Sequence, residues 1–523
     1  MFLLVMVAIV FAMIGGISLM QNKYQYYLRL QYAVLQWDYL KTEIAYIDYN
    51  YGGVGNWFTQ HKKSDPVPLD GKDAKLIPVL VYHGIITDPN WKPDGTNISL
   101  QDFQNQMFAL KAAGWQTISM EDYLAFIQNK KQLPEKSFLL TFDDGRKDSF
   151  YNGDPVLRAV GYEATMFVIT GASMDDGPSP FHLSREELQQ MIKTGRWEMG
   201  SHTQNGHGSV PVNSAGKWNH FLTNEMWLAG KNKLETEPEY LKRITTDLEG
   251  AKLDLENKLG VKPVLAFAYP YGDYGQDPSN FPQDQSILDN IVSSIYPISF
   301  IQASNNDYVA NPADGSAISK RIEVDSSIDS AHLVSMLDNS RYKNLDYTDD
   351  FSKDNGWLEG WGSRRIDNNE MLVGATASDD SASTFLSGSS LWKNYLMSVK
   401  AEILSSDSFS LVARYIGEDD YATCDFSGDA VELSQKVHGQ DRPTIEARLW
   451  NEITPGVAVS AAIEVNGNTA TCYLNGTQVL TGTIDPALDR GGIGFKMWDP
   501  AHKGTLVVRN LKVVGMPSAF PVK

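Results

Sequence analysis

The sequence predicts an α/β barrel followed by an all-β sandwich, behind an N-terminal segment long enough to cross a membrane. Three observations support this prediction. Strand-like and helix-like segments alternate from residue 75 to 340, which is typical of a parallel sheet. From residue 349 to 515 the helical periodicity stops, and short alternating runs separated by turn residues replace it. Residues 1–20 contain no charged side chain.

Residues 1–20 would span about 30 Å as a helix, at ~1.5 Å per residue. Because we find no convincing small-residue cleavage site, we expect an uncleaved membrane anchor rather than a signal peptide. The basic residues that follow it would, by the positive-inside rule alone, keep the rest of the chain in the cytoplasm. We expect the opposite orientation, because the features described below belong outside the cell.

Residues 21–74 are predicted to connect this anchor to the barrel. Residues 21–48 are rich in Tyr, Leu and Gln, and this composition favours an amphipathic helix at the membrane surface. The Gly-, Pro- and Asp-containing stretch that follows, up to residue 74, is typical of a linker.

The barrel region contains seven strand-like runs, enough to close an irregular barrel. They are Leu76–His83, Trp115–Ser119, Ser137–Phe142, Ala164–Ile169, Trp197–Ser201, Val264–Tyr269 and Ile298–Gln302. The helix-like segments between them are Leu100–Ala113, Met120–Gln128, Ser184–Thr194, Glu239–Leu259 and Asp284–Ser294. Ser99 and Ser184 are the predicted N-caps of two of these helices.

Two strand ends carry side chains suited to a metal site. Asp143 and Asp144 follow Ser137–Phe142, and adjacent carboxylates are costly to hold together unless a cation or proton separates their charges. His202 and His207 follow another strand, five positions apart. An Asp-Asp-Gly alone is more often a turn, and a His pair is more often a hydrogen-bonded loop. Both sets at strand ends of one barrel favour a hydrolytic zinc site made of one of the two carboxylates with His202 and His207.

These residues carry a resemblance to a known family. Thr141–Gly145 and Ser201–His207 resemble the first two motifs of the polysaccharide deacetylase family (NodB homology, carbohydrate esterase family 4), and Phe267–Gly272 is similar to the third. With Val81–Gly84, the five-residue His spacing most resembles the branch that de-N-acetylates poly-β-1,6-N-acetylglucosamine. The resemblance covers about residues 75 to 340. It implies a distorted (β/α)7 barrel that hydrolyses N-acetyl groups on a cell-wall or extracellular polysaccharide.

The resemblance also implies roles for single residues. Asp143 would be the general base, and Asp144 with the two imidazoles would hold a divalent ion, for which Zn²⁺ is favoured by two nitrogen ligands. The backbone N–H of Tyr271 would meet the oxyanion beside the metal. The general acid is expected to be a late histidine, for which His332 is the candidate, although it lies in a helix-like stretch.

Two other positions need comment. Many family members have an arginine in the third motif that steadies the base, and the matching residue here is Ala268. Arg321 is predicted to replace that arginine from another strand end. His83, on the first strand, is expected to line the pocket mouth, although a structural histidine is an equal alternative.

The C-terminal region gives weaker predictions. Asp349–Ser352 with Gly356 and Trp357, and Gly491–Phe495 with Val508–Val513, resemble concanavalin-like (laminin-G-like) jelly-roll modules, which implies carbohydrate binding. The candidate exposed aromatic residues are Trp361, Trp392, Trp450 and Trp498, and a place in the core is the alternative for each. Cys424 and Cys472 are the only cysteines, and either one disulfide or two buried thiols would fit them.

The formal net charge of −19 argues against nucleic acid as a partner. Two rival functions stay open at this point. A glycoside hydrolase using Asp143 and Asp144 is disfavoured, because its two carboxyl groups should face each other ~5 Å or more apart across the bond. An inactive, membrane-tethered glycan-binding protein is the second. The sequence does not choose among poly-N-acetylglucosamine, peptidoglycan and chitin-like substrates, which share the acetamido group.

Overall fold

The computed structural model describes most of the 523-residue chain. The described residues are 23–53, 72–174, 179–276, 280–281, 284–303, 307–405, 408–428, 430–441, 445–448 and 453–517. Within these ranges no helix has both the length and the apolar character that crossing a bilayer requires. The membrane anchor predicted at residues 1–20, and most of the predicted linker, lie outside the described residues.

The chain divides into two compact units. The first is formed mainly by Pro78–Gln302 and Ala313–Val334, and it contains the barrel. The second is formed mainly by the residues from Ser335 onward, and it contains two β-sheets.

Seven parallel strands close the barrel, and their order around the ring follows the chain. They are β1 (Leu76–Tyr82), β2 (Ser137–Phe142), β3 (Ala164–Val168), β4 (Trp197–Ser201), β5 (Ala266–Ala268), β6 (Ile298–Gln302) and β7 (Ile318–Glu323). The ring closes where β1 pairs with both β2 and β7, for example Val79 with Leu139 and Leu80 with Ile322. Every residue of β1 and β2 is buried, as expected for strands covered on both faces.

The seventh strand differs from the prediction. Trp115–Ser119 was expected to be a barrel strand, but only Gln116–Thr117 is extended, and it pairs with the start of β2 outside the ring. Ser119 instead caps the next helix by accepting a hydrogen bond from the Asp122 N–H. The seventh barrel strand is instead β7, which was not predicted because Lys320 and Arg321 interrupt its apolar pattern.

Helices separate most of the barrel strands. Their bounds are α1 (Lys23–Tyr51), α2 (Leu100–Ala112), α3 (Met120–Ile127), α4 (Lys147–Val160), α5 (Thr170–Ser173), α6 (Arg185–Lys193), α7 (Glu237–Asp254), α8 (Asp284–Ile295) and α9 (Ser330–Ser340). The two predicted N-caps are confirmed: Ser99 accepts from the Asp102 N–H, and Ser184 forms a capping box with Glu187. Helix α4 was not predicted, because Gly153 and Pro155 break its pattern.

Helix α1 confirms the predicted helix after residue 20, but its buried face lies on the barrel rather than on a membrane. Leu28, Leu35 and Tyr39 are buried, and the Tyr46 and Tyr49 rings pack against Phe108 of α2. The Tyr39 hydroxyl also donates a hydrogen bond to the buried Asp154 carboxylate of α4. The buried face of α1 therefore packs on the barrel, and the placement of this helix at a membrane surface stays a prediction.

The second unit is an antiparallel β-sandwich, as predicted for an all-β region. One sheet contains Tyr347–Asp349, Ser363–Asp367, Glu370–Gly374, Tyr395–Ile403, Val459–Asn466, Thr469–Leu474, Thr477–Thr483 and Thr505–Gly515. The other contains Trp357–Glu359, Ser381–Leu386, Ser408–Gly417, Asp420–Ser427, Ala430–Val437, Gln440–Asp441, Ile445–Arg448 and Gly492–Trp498. Inward-facing residues of both sheets form one core.

The two cysteines form a disulfide across this core. Cys424 belongs to one sheet and Cys472 to the other, and both are fully buried. Of the four candidate tryptophans, Trp361 and Trp498 are exposed, whereas Trp392 is fully buried and belongs to the core, the alternative left open for each of them. The side chain of Trp450 lies outside the described residues.

Candidate active site

The carboxyl ends of the barrel strands deliver polar side chains to one mouth, where parallel barrels commonly place their chemistry. The contributing residues are Asp143 and Asp144 after β2, His202 after β4, Tyr271 after β5, and Arg321 and Glu323 on β7. His207 joins them from the loop that continues beyond His202.

The negative charge of Asp143 is balanced by Arg321, which reaches it from β7 across strand β1. The two terminal nitrogens of the Arg321 guanidinium, Nη1 and Nη2, each donate a 2.7 Å hydrogen bond to one of the two carboxylate oxygens of Asp143, which makes a bidentate pair. Asp143 is 2% exposed and Arg321 is fully buried. Burial alone raises the pKa of the Asp143 carboxyl, but Arg321 and His202 together hold that pKa below its usual value. Asp143 is therefore an ionised group at neutral pH. Arg321 occupies the role predicted for it from another strand end.

Asp144 points elsewhere because its backbone turns. Its φ of 72° lies in the left-handed region, which is uncommon for a residue other than glycine. The Asp144 Oδ1 atom lies 3.6 Å from His202 Nε2 and 3.3 Å from His207 Nε2. Burial raises the pKa of the Asp144 carboxyl, but the nearby His207 and His202 imidazoles shift the net pKa well below its usual value. The neighbouring carboxylates thus have different partners.

The two imidazoles are held by different means. His202 is fully buried, and its Nδ1 lies 2.8 Å from the Ala268 carbonyl, so that Nε2 faces the carboxylates. Burial lowers the pKa of His202 to about 4, which favours the neutral imidazole that binds metals. The loop leading to His207 is pinned by Asp247 of α7, whose carboxylate accepts the Gln204 and Asn205 N–H groups at 3.0 and 2.7 Å.

Asp144, His202 and His207 fit a divalent cation. Their ligand atoms lie within 4.8 Å of one another, which allows one ion to contact all three. The buried Oδ1 of Asp144 accepts no hydrogen bond from any described residue, as expected of a carboxylate oxygen that binds a cation. One carboxylate and two imidazoles are also the donor set typical of hydrolytic zinc sites. The residues predicted as ligands therefore converge, and their chemistry suits Zn²⁺.

Tyr271 lies beside the metal ligands in the turn Pro270–Gly272. Its φ is 60°, a second left-handed residue at the pocket. The Tyr271 ring centroid lies 4.7 Å from that of His207, and the Tyr271 hydroxyl donates a 2.6 Å hydrogen bond to the His207 carbonyl. The third motif thus holds the second metal-binding loop as well as lining the pocket.

The structure does not bring His332 to this site. His332 is exposed on helix α9, and within the described residues no contact joins it to Asp143, Asp144 or the two imidazoles. The histidine at the mouth is His83, whose Nδ1 lies 3.4 Å from Glu323 Oε1. His83 is also close enough to contribute to the lowered pKa values of Asp143 and Asp144. The expectation that His83 lines the mouth is confirmed, whereas Glu323 was not predicted.

Residues 130–281 match the family described as polysaccharide deacetylase. A poly-β-1,6-N-acetyl-D-glucosamine N-deacetylase of Staphylococcus epidermidis is 29% identical over 185 residues, covering 35% of this chain and 56% of that protein. The Escherichia coli K12 protein of the same name is 26% identical over 183 residues, covering 32% of this chain and 27% of that protein. This chain therefore matches only part of each relative's length.

A solved structure of a de-N-acetylase from Aggregatibacter actinomycetemcomitans is also similar. It is 21% identical to this chain, with a TM-score of 0.42, and the similarity covers 50% of this chain and 99% of that one.

The depressed pKa of His202 gives a prediction about stability in metal-free protein. Between pH 6.5 and about 4, an unfolded chain protonates this histidine and the folded chain does not. Acid therefore favours the unfolded state, and the free energy of unfolding should lose about 3 kcal/mol across that window through this group. Denaturant titrations with chelator at several pH values would measure the loss.

Carboxyl groups also titrate in this pH range. The pH dependence of the wild type is therefore compared with that of His202→Gln, which should lack the contribution of this histidine. The exposed His332→Gln variant serves as the matched control and should follow the wild type. Equal slopes for wild type and His202→Gln would contradict the burial argument.

Proposed function

We propose that the barrel, which matches the polysaccharide deacetylase family over residues 130–281, uses a divalent metal to remove N-acetyl groups from a poly-N-acetylglucosamine-type polymer. The observation that carries the proposal is that the neighbouring carboxylates of Asp143 and Asp144 have different partners. Asp143 pairs with Arg321, while Asp144 converges with His202 and His207. Such an arrangement supplies a base and a cation site within one pocket.

The metal would be held by Asp144, His202 and His207, and we favour Zn²⁺. When bound, the ion supplies Lewis acidity toward the acetyl carbonyl and toward a water molecule. Asp144 offers a buried carboxylate oxygen, and His202 offers Nε2 because its Nδ1 faces the Ala268 carbonyl.

Asp143 is the proposed general base. Its carboxylate lies 4.0 Å from His202 Nε2, so a water molecule in the pocket would be within its reach. The Arg321 pair fixes the orientation of the carboxylate and keeps it ionised. The same pair argues against a glycoside hydrolase, because Asp143 and Asp144 both stay ionised and neither can be the carboxylic acid that protonates the leaving group.

The oxyanion that forms when water attacks would be met by the Tyr271 backbone N–H. Pro270 restricts the preceding backbone, and the left-handed Tyr271 is fixed by the hydrogen bond of its side chain to the His207 carbonyl.

We propose His83 in place of His332 as the group that protonates the leaving amine. It lies at the mouth directly after β1, and its Nδ1 is 3.4 Å from Glu323 Oε1. An imidazole at this place can give a proton to a leaving amine.

The polymer and the cellular location are part of the proposal. The names of the two relatives favour poly-β-1,6-N-acetylglucosamine, and peptidoglycan is the alternative substrate. The net charge of −19 would tolerate a product that becomes cationic as amines are exposed. We propose that residues 1–20, which contain no charged side chain, anchor the enzyme in a membrane and that its catalytic part lies outside the cytoplasm. The exposed Trp361 and Trp498 would suit glycan binding by the sandwich.

Acetate release from N-acetylated glycans tests the proposal. The wild type should bind about one Zn²⁺ per chain and release acetate, and a chelator should abolish the release. Asp143→Asn should keep the metal but lose roughly 10²- to 10⁴-fold in rate, because it removes only the base. His207→Gln should lose both metal and activity, and His332→Gln should lose neither. Shortened polymer without acetate would instead indicate a hydrolase, and binding without any product would indicate a glycan-binding protein.

The His83 assignment is tested by changing the leaving group. His83→Gln should slow the hydrolysis of an N-acetyl amine strongly, because the amine must be protonated to leave. The same variant should hydrolyse 4-nitrophenyl acetate at nearly the wild-type rate, since that leaving group departs as an anion. Release of acetate and of 4-nitrophenolate would be measured side by side. An equal loss on both substrates would remove His83 from the acid role.

A further inference from the structure

A short hairpin in the long connection after His207 has no role in the chemistry described above. Its strands, Ser209–Pro211 and Trp218–His220, pair antiparallel, with Ser209 opposite His220 and Pro211 opposite Trp218. The hairpin belongs to the same barrel unit as the metal ligands.

His220 fixes this hairpin to the pocket. Its ring stacks on the Tyr271 ring, with centroids 4.4 Å apart and planes inclined by 11°. Its Nδ1 lies 2.6 Å from Oδ2 of the buried Asp273, which also accepts a 2.8 Å hydrogen bond from Thr223. Because the Tyr271 hydroxyl donates to the His207 carbonyl, the hairpin is joined to a metal ligand through one intervening side chain.

This arrangement determines where Trp218 is displayed. Residues two apart on a strand face the same side, so Trp218 shares a face with His220, about 7 Å along the strand. Its side chain is 62% exposed, and that of Tyr271 is 50% exposed. Trp218 does not serve the barrel core, yet its backbone is held by an anchored hairpin. A large ring kept exposed at a fixed place beside a catalytic pocket is suited to ligand contact.

We propose that Trp218 forms a subsite that stacks against a pyranose ring of the polymer, next to the residue being deacetylated, with His220 and Asp273 as its positioning residues. The inference rests on the proposed function and names a part of the substrate site. A pyranose ring presents C–H groups on its faces and hydroxyl groups around its rim. A flat aromatic ring covers the apolar face and leaves the hydroxyls in water. The subsite should therefore act on chains of several sugars and have no effect on a small acyl substrate.

Kinetics on two substrates test this directly. For a β-1,6-linked N-acetylglucosamine pentamer, Trp218→Ala should raise KM about tenfold and leave kcat within about twofold, as expected for the loss of one ring contact made equally in ground and transition states. Its kcat/KM for 4-nitrophenyl acetate should be unchanged. Trp218→Phe should recover most of the pentamer affinity. Trp37→Ala, at an exposed tryptophan on α1, is the matched control and should resemble the wild type.

Direct binding separates this inference from the proposed function. The chelator-treated full-length protein, in which turnover is blocked, is titrated with the pentamer by calorimetry. Weaker binding by Trp218→Ala than by Trp37→Ala supports the subsite even if no acetate is ever released. Equal binding by the two variants, or no binding by the wild type, overturns it. A parallel loss of activity on both substrates would also overturn it, because that result indicates a folding role.

Discussion

Two ionised carboxylates at adjacent positions of a buried site repel each other, and the pocket is built around the relief of that repulsion. Asp143 is matched by the guanidinium of Arg321, with two contacts of 2.7 Å. Asp144 is turned away by a left-handed backbone and placed against two imidazoles, with a buried oxygen that lacks a hydrogen bond among the described residues. The charge of Asp143 is thus balanced by a protein side chain, whereas the charge of Asp144 is placed where a bound cation would balance it.

The topology of the barrel makes this separation possible. Because β1 lies between β2 and β7, Arg321 reaches Asp143 across the point where the ring closes. His202 arrives from β4 on the other side, and its Nδ1 is held by the carbonyl of Ala268 on β5. Ala268 therefore contributes its backbone carbonyl to the site, while the positive charge beside Asp143 comes from Arg321 on β7.

Much of this could be predicted from the sequence, because the evidence was local. Buried parallel strands appear as short apolar runs, and metal ligands appear directly after two of them, so six of the seven barrel strands and the converging Asp144, His202 and His207 could be placed. Strand β7 could not, because its polar residues satisfy partners that only the closed ring brings together. His332 was expected at the site and lies away from it for the same reason: which histidine reaches the mouth depends on the order of strands in space. Helix α4 was missed because Pro155 argues locally against a helix that packing with α1 stabilises.

Anomalous diffraction at the zinc edge, from crystals of the full chain grown with Zn²⁺, tests the central claim most directly. The account predicts a strong peak about 2.0 to 2.2 Å from the Asp144 carboxylate and from Nε2 of both His202 and His207, with Asp143 still paired to Arg321. A peak bound to Asp143 in place of Asp144, or no peak among these residues at saturating zinc, would contradict it.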